Sequence, residues 1–391
     1  MDLFDKCEVY YKKVEEAINQ GYYPYFKPIE SEASNWVTIN GEQYLMLGSN
    51  NYLGLTNDPR VKEAAIEAVQ KYGTGCTGSR FLNGTLDLHL ELEEKLAKFF
   101  KKDDCIVFST GYQTNLGIIS SLVGKKDYVI TDKLDHASII DGCKLSFGSV
   151  KRFSHNDMIG LERILKSLPK NSGKLIVVDG VFSMEGDLCD LPEIVRLKEK
   201  YNARLLLDEA HAVGVLGENG RGTAEHFGLE DKVDLIMGTF SKSFATIGGF
   251  VVGEKKVIAY IRHNARSLIF SASLPPASLG AVLKVLEIIQ KEPERRENLW
   301  KITEKMRKGL KELDYDTGNS VTPIIPIIIG EDMKTLKFWQ ALFKNKIFTN
   351  PVIPPAVPPN RSLIRTSYMA THKEEDIDFA LEVFKKLRHL L

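Results

Sequence analysis

Short apolar runs alternate with stretches of helical period through the middle of this chain. The runs 105–109, 127–131, 174–179, 204–208, 234–238, 249–253 and 267–271 have strand length and strand composition. Leu175-Ile-Val-Val-Asp179 shows no polar alternation, which predicts a strand covered on both faces. Between these runs, 111–122 and 157–167 place apolar residues at helical spacing. Strand–helix alternation of this kind predicts an α/β domain with a large, mainly parallel sheet. Upstream, helical patterns cover 3–19, 59–71 and 86–100, and 43–47 reads as a strand. Pro59 stands at the start of its helix, where a missing N–H costs nothing. After Pro275-Pro276 the pattern becomes helix 278–291, helix 295–313, short strands and a last helix 373–390. That change predicts a smaller C-terminal α+β domain. The expected partition is an N-terminal arm and small segment over 1–55, a large domain over 56–290 and a small domain over 291–391.

Composition narrows the class. The 391 residues are 43% hydrophobic and 27% charged, ordinary for a globular protein with a sizeable core. Lysine plus arginine and aspartate plus glutamate number 52 each, so no nucleic-acid partner is expected. Cys7, Cys76, Cys105, Cys143 and Cys189 are scattered without a CxxC pair. This argues against a metal site or a disulfide framework and fits a cytoplasmic location. The first residues, Met1-Asp-Leu-Phe-Asp-Lys6, lack the apolar core of a signal peptide. Pro323-Ile-Ile-Pro-Ile-Ile-Ile329 is too short to span a bilayer, which leaves peripheral membrane contact open.

The chemistry lies where the strands end, since open α/β sheets build their sites at C-terminal strand ends. Taken in chain order, those ends carry Ser109-Thr-Gly-Tyr112, then Asp132 and His136, then Asp179 to Ser183. Asp208 and His211 follow the next strand, and Thr239, Ser241 and Lys242 the one after. Singly, each has a plain explanation. A Ser-Thr-Gly-Tyr turn is more often a helix cap than a phosphate cradle, and a lone histidine is more often structural. Together they supply an amine, an acid, imidazoles and a hydroxyl-lined helix start, the set that pyridoxal 5′-phosphate requires. On that reading Lys242 forms the Schiff base and then serves as acid and base. Asp208 pairs with the ring nitrogen, His136 stacks on the ring and His211 bonds its hydroxyl. Ser109, Gly111, Tyr112, Thr239 and Ser241 hold the phosphate, and Ser183 is a further cofactor contact.

Four segments carry a family resemblance. They are Gly238-Thr-Phe-Ser-Lys-Ser243, Asp208-Glu-Ala-His211, Asp135-His-Ala-Ser-Ile-Ile-Asp-Gly142 and Asp179-Gly-Val-Phe-Ser-Met-Glu-Gly-Asp187. In combination they resemble the α-oxoamine synthases, over nearly the whole chain from around Gly21 onward. The resemblance implies a fold-type I pyridoxal-phosphate-dependent transferase. It also implies condensation of an amino acid with an acyl-CoA, with loss of carbon dioxide. The Thr-Phe-Ser-Lys-Ser context, Gly78 to Thr85 and Phe108 to Gly117 are similar to the branch that joins L-serine to a long-chain acyl-CoA. The alternatives are the branch using alanine with a pimeloyl thioester and the branch using glycine. Ser79 leaves room for a serine or alanine side chain, where the glycine-specific members tend to carry threonine.

The resemblance also assigns Arg365 to the substrate carboxylate, a natural task for a bidentate guanidinium. It brings Asn50 and Asn51 toward the amino acid without choosing between them. Ser271 and Ser273 match a segment that reaches the phosphate of a partner subunit, which implies a homodimer with shared active sites. One position departs from the pattern. Ile353 stands where some members carry a second arginine in the proline-rich loop.

Overall fold

The computed structural model describes residues 2–391. In chain order its strands are β1 (Trp36–Ile39), β2 (Glu42–Met46), β3 (Asp104–Phe108), β4 (Tyr128–Asp132) and β5 (Ser149–Phe153). Then come β6 (Lys174–Asp179), β7 (Arg204–Asp208), β8 (Leu235–Thr239) and β9 (Gly249–Gly253). The last are β10 (Ile324–Gly330), β11 (Ile347–Phe348), β12 (Asn350–Val352) and β13 (Ser362–Ser367). The chain divides into two compact units, Asn50–Leu299 and a second that runs to Ser49 and resumes over Trp300–Leu391.

In the larger unit a seven-stranded sheet has the order β3-β9-β8-β7-β6-β4-β5. The strands from β8 to β5 pair in parallel, and β9 is antiparallel to both β8 and β3. The apolar runs explain the burial. Every residue of β6 is buried. Along β7, Leu205 and Leu207 join one core while Leu206 joins the other. In β6, Ile176 and Val178 face the first core, and Leu175 and Val177 the second. Successive side chains point to opposite faces, so the sheet is covered on both. Each such Leu, Ile or Val contributes about 1.5–3 kcal/mol on full burial. The edge strand β5, Ser-Val-Lys-Arg-Phe, buries only Phe153, and its lysine and arginine blunt the edge.

The strand expected at 267–271 is not one. Arg266–Ile269 forms a short helix, followed by a loop through Ser273. Ala265 and Leu268, three apart, both enter the core, and Ser267 Oγ donates to the Gln113 carbonyl at 2.7 Å. Helical spacing therefore buries this segment better than alternation.

The second unit holds two three-stranded sheets, β1-β2-β11 and β10-β13-β12. β2 pairs in parallel with β11, so residues 36–46 fold with the C-terminal segment. Sequence patterning had set 1–55 apart and opened the small domain at 291. Nothing short-range announces a pairing across that distance. The helix Asp5–Asn19 buries none of its residues. Among the described residues no helix is long and apolar enough to cross a membrane.

Candidate active site

Lys242 sits on the loop between β8 and β9, three residues beyond the strand end, and is half-buried rather than enclosed. The loop closes on itself. Phe240 N donates to Gly248 O at 2.9 Å, Thr246 N to Phe240 O at 3.0 Å, and Ala245 N to Lys242 O at 2.9 Å. Phe240 and Phe244 anchor it from within the core, with ring centroids 5.2 Å apart. Ala245 takes the left-handed conformation, φ 61°, that the tight turn requires.

Asp208 ends β7 and is buried. Its Oδ2 accepts from Asn115 Nδ2 at 2.7 Å and its Oδ1 from Ala210 N at 2.9 Å. His211, also buried, has Nδ1 2.7 Å from the Tyr52 hydroxyl. His136 caps the helix Ala137–Leu145, its Nδ1 accepting from Ser138 N at 3.2 Å. Its ring opens to the cavity, yet the protein around it lowers its pKa below the ordinary value. Desolvation is the main cause, Asp208 opposes it and Lys242 adds to it.

Behind these groups lies a ladder of carboxylates on backbone amides. Asp179 Oδ2 accepts from His136 N at 2.9 Å, and Asp135 Oδ1 from Asp179 N at 2.9 Å. Asp135 Oδ2 accepts from Asp132 N at 2.8 Å. Burial pushes Asp179 and Asp135 well above the usual carboxylate range. Asp208 adds to the shift of Asp179, and Asp179 to that of Asp135.

The other end of the cavity is the start of the helix Gly111–Leu122. Thr110 caps it, with Oγ1 accepting from Gln113 N at 3.1 Å. The amides of Gly111 and Tyr112 precede the first intrahelical bond and suit an anion. Gly111 is required there, because a Cβ would come within 2.7 Å of Thr239 Oγ1. Thr239 Oγ1 in turn lies 2.9 Å from Ser241 Oγ. Tyr112 bonds through its hydroxyl to Asp141.

The resulting cavity, about 310 Å³, is lined by Gly111, Tyr112, His136, Ser183, Asp208, His211, Thr239, Ser241 and Lys242. Its volume, hydroxyls and helix start at one end, and acid and imidazoles at the other, fit a phosphorylated pyridine. A larger cleft of about 640 Å³ opens where the strands begin, near Lys102, Lys174 and Arg204, and contains none of these groups.

Other expected residues lie elsewhere. Ser109 bonds the Ala272 carbonyl and does not line the cavity. Ser271 Oγ accepts from Gln113 Nε2 at 3.0 Å, and Ser273 Oγ donates to Gly78 O at 3.1 Å. Ser79 is buried in the glycine-rich loop, its carbonyl accepting from Gly84 N at 2.9 Å. Asn51 shapes a turn, with Oδ1 accepting from Leu55 N and Nδ2 donating to Thr56 Oγ1. Asn50 Oδ1 accepts from Tyr52 Oη at 3.4 Å. Arg365 is buried on β13 in the other unit, with Nη1 3.4 Å from Ser367 Oγ. Ile353 is half-buried.

Asn115, Ser138 and Tyr52 belong to the site although strand-end reading did not select them. An asparagine inside the apolar helix segment Asn-Leu-Gly-Ile-Ile was the available signal for the first.

Residues 42–384 match the family of class I and II aminotransferases. The chain belongs to that family, with the fold-type I architecture, in its α-oxoamine synthase branch. It is 55% identical to serine palmitoyltransferase of Sphingobacterium spiritivorum, over 95% of this chain and 94% of that one. It is 44% identical to 8-amino-7-oxononanoate synthase of Thermoanaerobacter pseudethanolicus, over 96% and 95%. A solved serine palmitoyltransferase variant from S. paucimobilis, with bound PLP–myriocin aldimine, superimposes with a TM-score of 0.97 at 38% identity. That match covers 100% of this chain and 99% of the other.

Proposed function

We propose that this chain condenses L-serine with a long-chain acyl-CoA such as palmitoyl-CoA, with pyridoxal 5′-phosphate as cofactor. Carbon dioxide and CoA leave, and 3-ketodihydrosphingosine is released. The observation that carries the reading is the convergence of Lys242, Asp208, His211 and His136 on one cavity with a helix start at its far end.

The cofactor supplies an electron sink for negative charge on the α-carbon of the amino acid. Lys242 would hold the cofactor through its amine and would serve as the base and acid for the α-proton of serine. Asp208, held by Asn115 and Ala210, keeps a proton on the ring nitrogen. His211, fixed by Tyr52, bonds the ring hydroxyl. His136 would lie against the cofactor ring and restrain the serine carboxylate, holding back early loss of carbon dioxide. Gly111, Tyr112, Thr239 and Ser241 bind the phosphate, and Ser183 adds a contact to the cofactor. Arg365 is the guanidinium for the carboxylate, and Asn50, Asn51 and Ser79 shape the amino-acid pocket.

We infer further that the protein is a homodimer. Ser271 and Ser273 do not line the cavity of their own chain, which supports their serving the phosphate of a second copy. Five unpaired cysteines support a reducing, cytoplasmic setting.

The test is absorbance titration of the cofactor-loaded protein with L-serine, L-alanine and glycine, followed by CoA release from palmitoyl-CoA. Serine-specific spectral change with CoA release is expected. Preference for alanine with no turnover of long acyl chains would move the protein to the branch that uses a pimeloyl thioester.

A further inference from the structure

Asn115 lies wholly buried inside the helix Gly111–Leu122, where asparagine is a poor choice for helix stability. Both hydrogens of its amide are in use. Nδ2 donates to Asp208 Oδ2 at 2.7 Å and to Ser138 Oγ at 2.9 Å. Its Oδ1, also buried, has no hydrogen-bond partner among the described residues. A buried orphan carbonyl is uncommon and calls for a reason. The reason is orientation. Turning the amide over would set Oδ1 against the Asp208 carboxylate, acceptor facing acceptor.

The second arm continues to His136. Ser138 Oγ, accepting from Asn115, lies 2.8 Å from His136 Nδ1. Ser138 N donates to the same nitrogen at 3.2 Å, and a backbone N–H can only donate. Nδ1 is therefore an acceptor, the Ser138 hydroxyl proton points at it, and the neutral ring carries its proton on Nε2.

We propose that Asn115 is a positioning residue that ties Asp208 to His136. One amide hydrogen orients the carboxylate. The other, relayed through Ser138, holds His136 as the Nε2–H tautomer, so the ring offers a donor rather than an acceptor to the bound amino acid. The inference rests on the reading of Asp208 and His136 as cofactor and substrate contacts.

The test compares wild type with Asn115→Asp and Ser138→Ala, each with ¹⁵N-labelled histidine, in cofactor-free and cofactor-loaded forms. The His136 signal is assigned by its loss in His136→Asn. Asn115→Asp preserves shape but replaces the donor with an acceptor. It is expected to lower kcat for CoA release by about tenfold or more, with the serine KM within about threefold. It is also expected to move the His136 ¹⁵N shifts in the cofactor-free protein and the pH profile of bound-cofactor absorbance. Ser138→Ala cuts only the histidine arm. It is expected to move the His136 shifts and leave that absorbance profile at its wild-type position, and it carries the test alone if Asn115→Asp does not fold. Wild-type kcat and wild-type His136 shifts in both variants would overturn the proposal. Failure of the wild-type protein to bind pyridoxal phosphate would instead remove the functional reading beneath it.

Discussion

Tyr52 Oη and His211 Nδ1 lie 2.7 Å apart, joining residues 159 positions apart in sequence. The two rings meet edge to face with centroids 6.1 Å apart, and Tyr52 is fully buried. Tyr52→Phe removes one partner of the imidazole and nothing of the packing. The expected cost is about 1–3 kcal/mol in stability, from the buried polar group left behind. Activity should fall roughly tenfold, as for other groups that orient a site residue. Urea unfolding and the absorbance of bound pyridoxal phosphate measure the two effects. Unchanged values for both would show that the hydroxyl does not orient His211.

His155 should make stability fall on the alkaline side. Its Nδ1 lies 3.3 Å from Asp132 and its Nε2 2.9 Å from Asp187. Burial alone would lower its pKa, but the bonds to Asp132 and Asp187 overcome it and raise the value to about 9. A histidine raised in the folded state contributes its full stability below the ordinary value of 6.5 and loses it as pH climbs through 9. The contribution is on the order of 3 kcal/mol at most. Urea midpoints between these limits should decline in wild type and stay flatter in His155→Gln.

Glu209 should add a second decline at lower pH. Burial raises it to about 7, although Thr223 N and Ala224 N both donate to it at 2.8 Å. The folded state binds this proton more tightly than the unfolded chain. Stability from this group is complete below 4.5 and fades as pH rises through 7. Glu209→Gln should abolish that slope. With one carbonyl oxygen for two amides, it should also lose about 1–3 kcal/mol overall. An unaltered pH slope in the variant would exclude Glu209 as its source.

Arg365→Lys tests the proposed carboxylate contact. Lysine keeps the charge but not the planar fork, so the serine KM should rise by about tenfold while the acyl-CoA KM stays put. Equal KM values for serine in the two proteins would assign Arg365 to structure alone.

What was legible followed chain-local chemistry. β6, β7 and β8 announced themselves as unbroken apolar runs, and the residues just past their ends line the cavity. β5 did not, because Ser149-Val-Lys-Arg-Phe153 is polar for an edge position. The run Leu268-Ile-Phe270 was apolar enough to read as a strand. Its partners, Gln113 and the core around Ala265, were invisible in one dimension. Asn115 and Tyr52 went unselected for a related reason. Each acts on a residue far away in sequence, and nothing beside them in the chain hints at it.

The loop that carries Lys242 has a consequence for the order in which the site is assembled. Thr239 pairs directly with Gly249, so the lysine's perch closes over a short span of chain. Asn115 must find Asp208 across 93 residues. Short loops cost less entropy to close, and hairpins form within microseconds, well before long-range pairings settle. The nucleophile is thus seated early, by a few neighbouring residues. The acid that sustains its chemistry takes its side-chain anchor, Asn115, across the longer span, so the lysine's perch is the more local of the two arrangements.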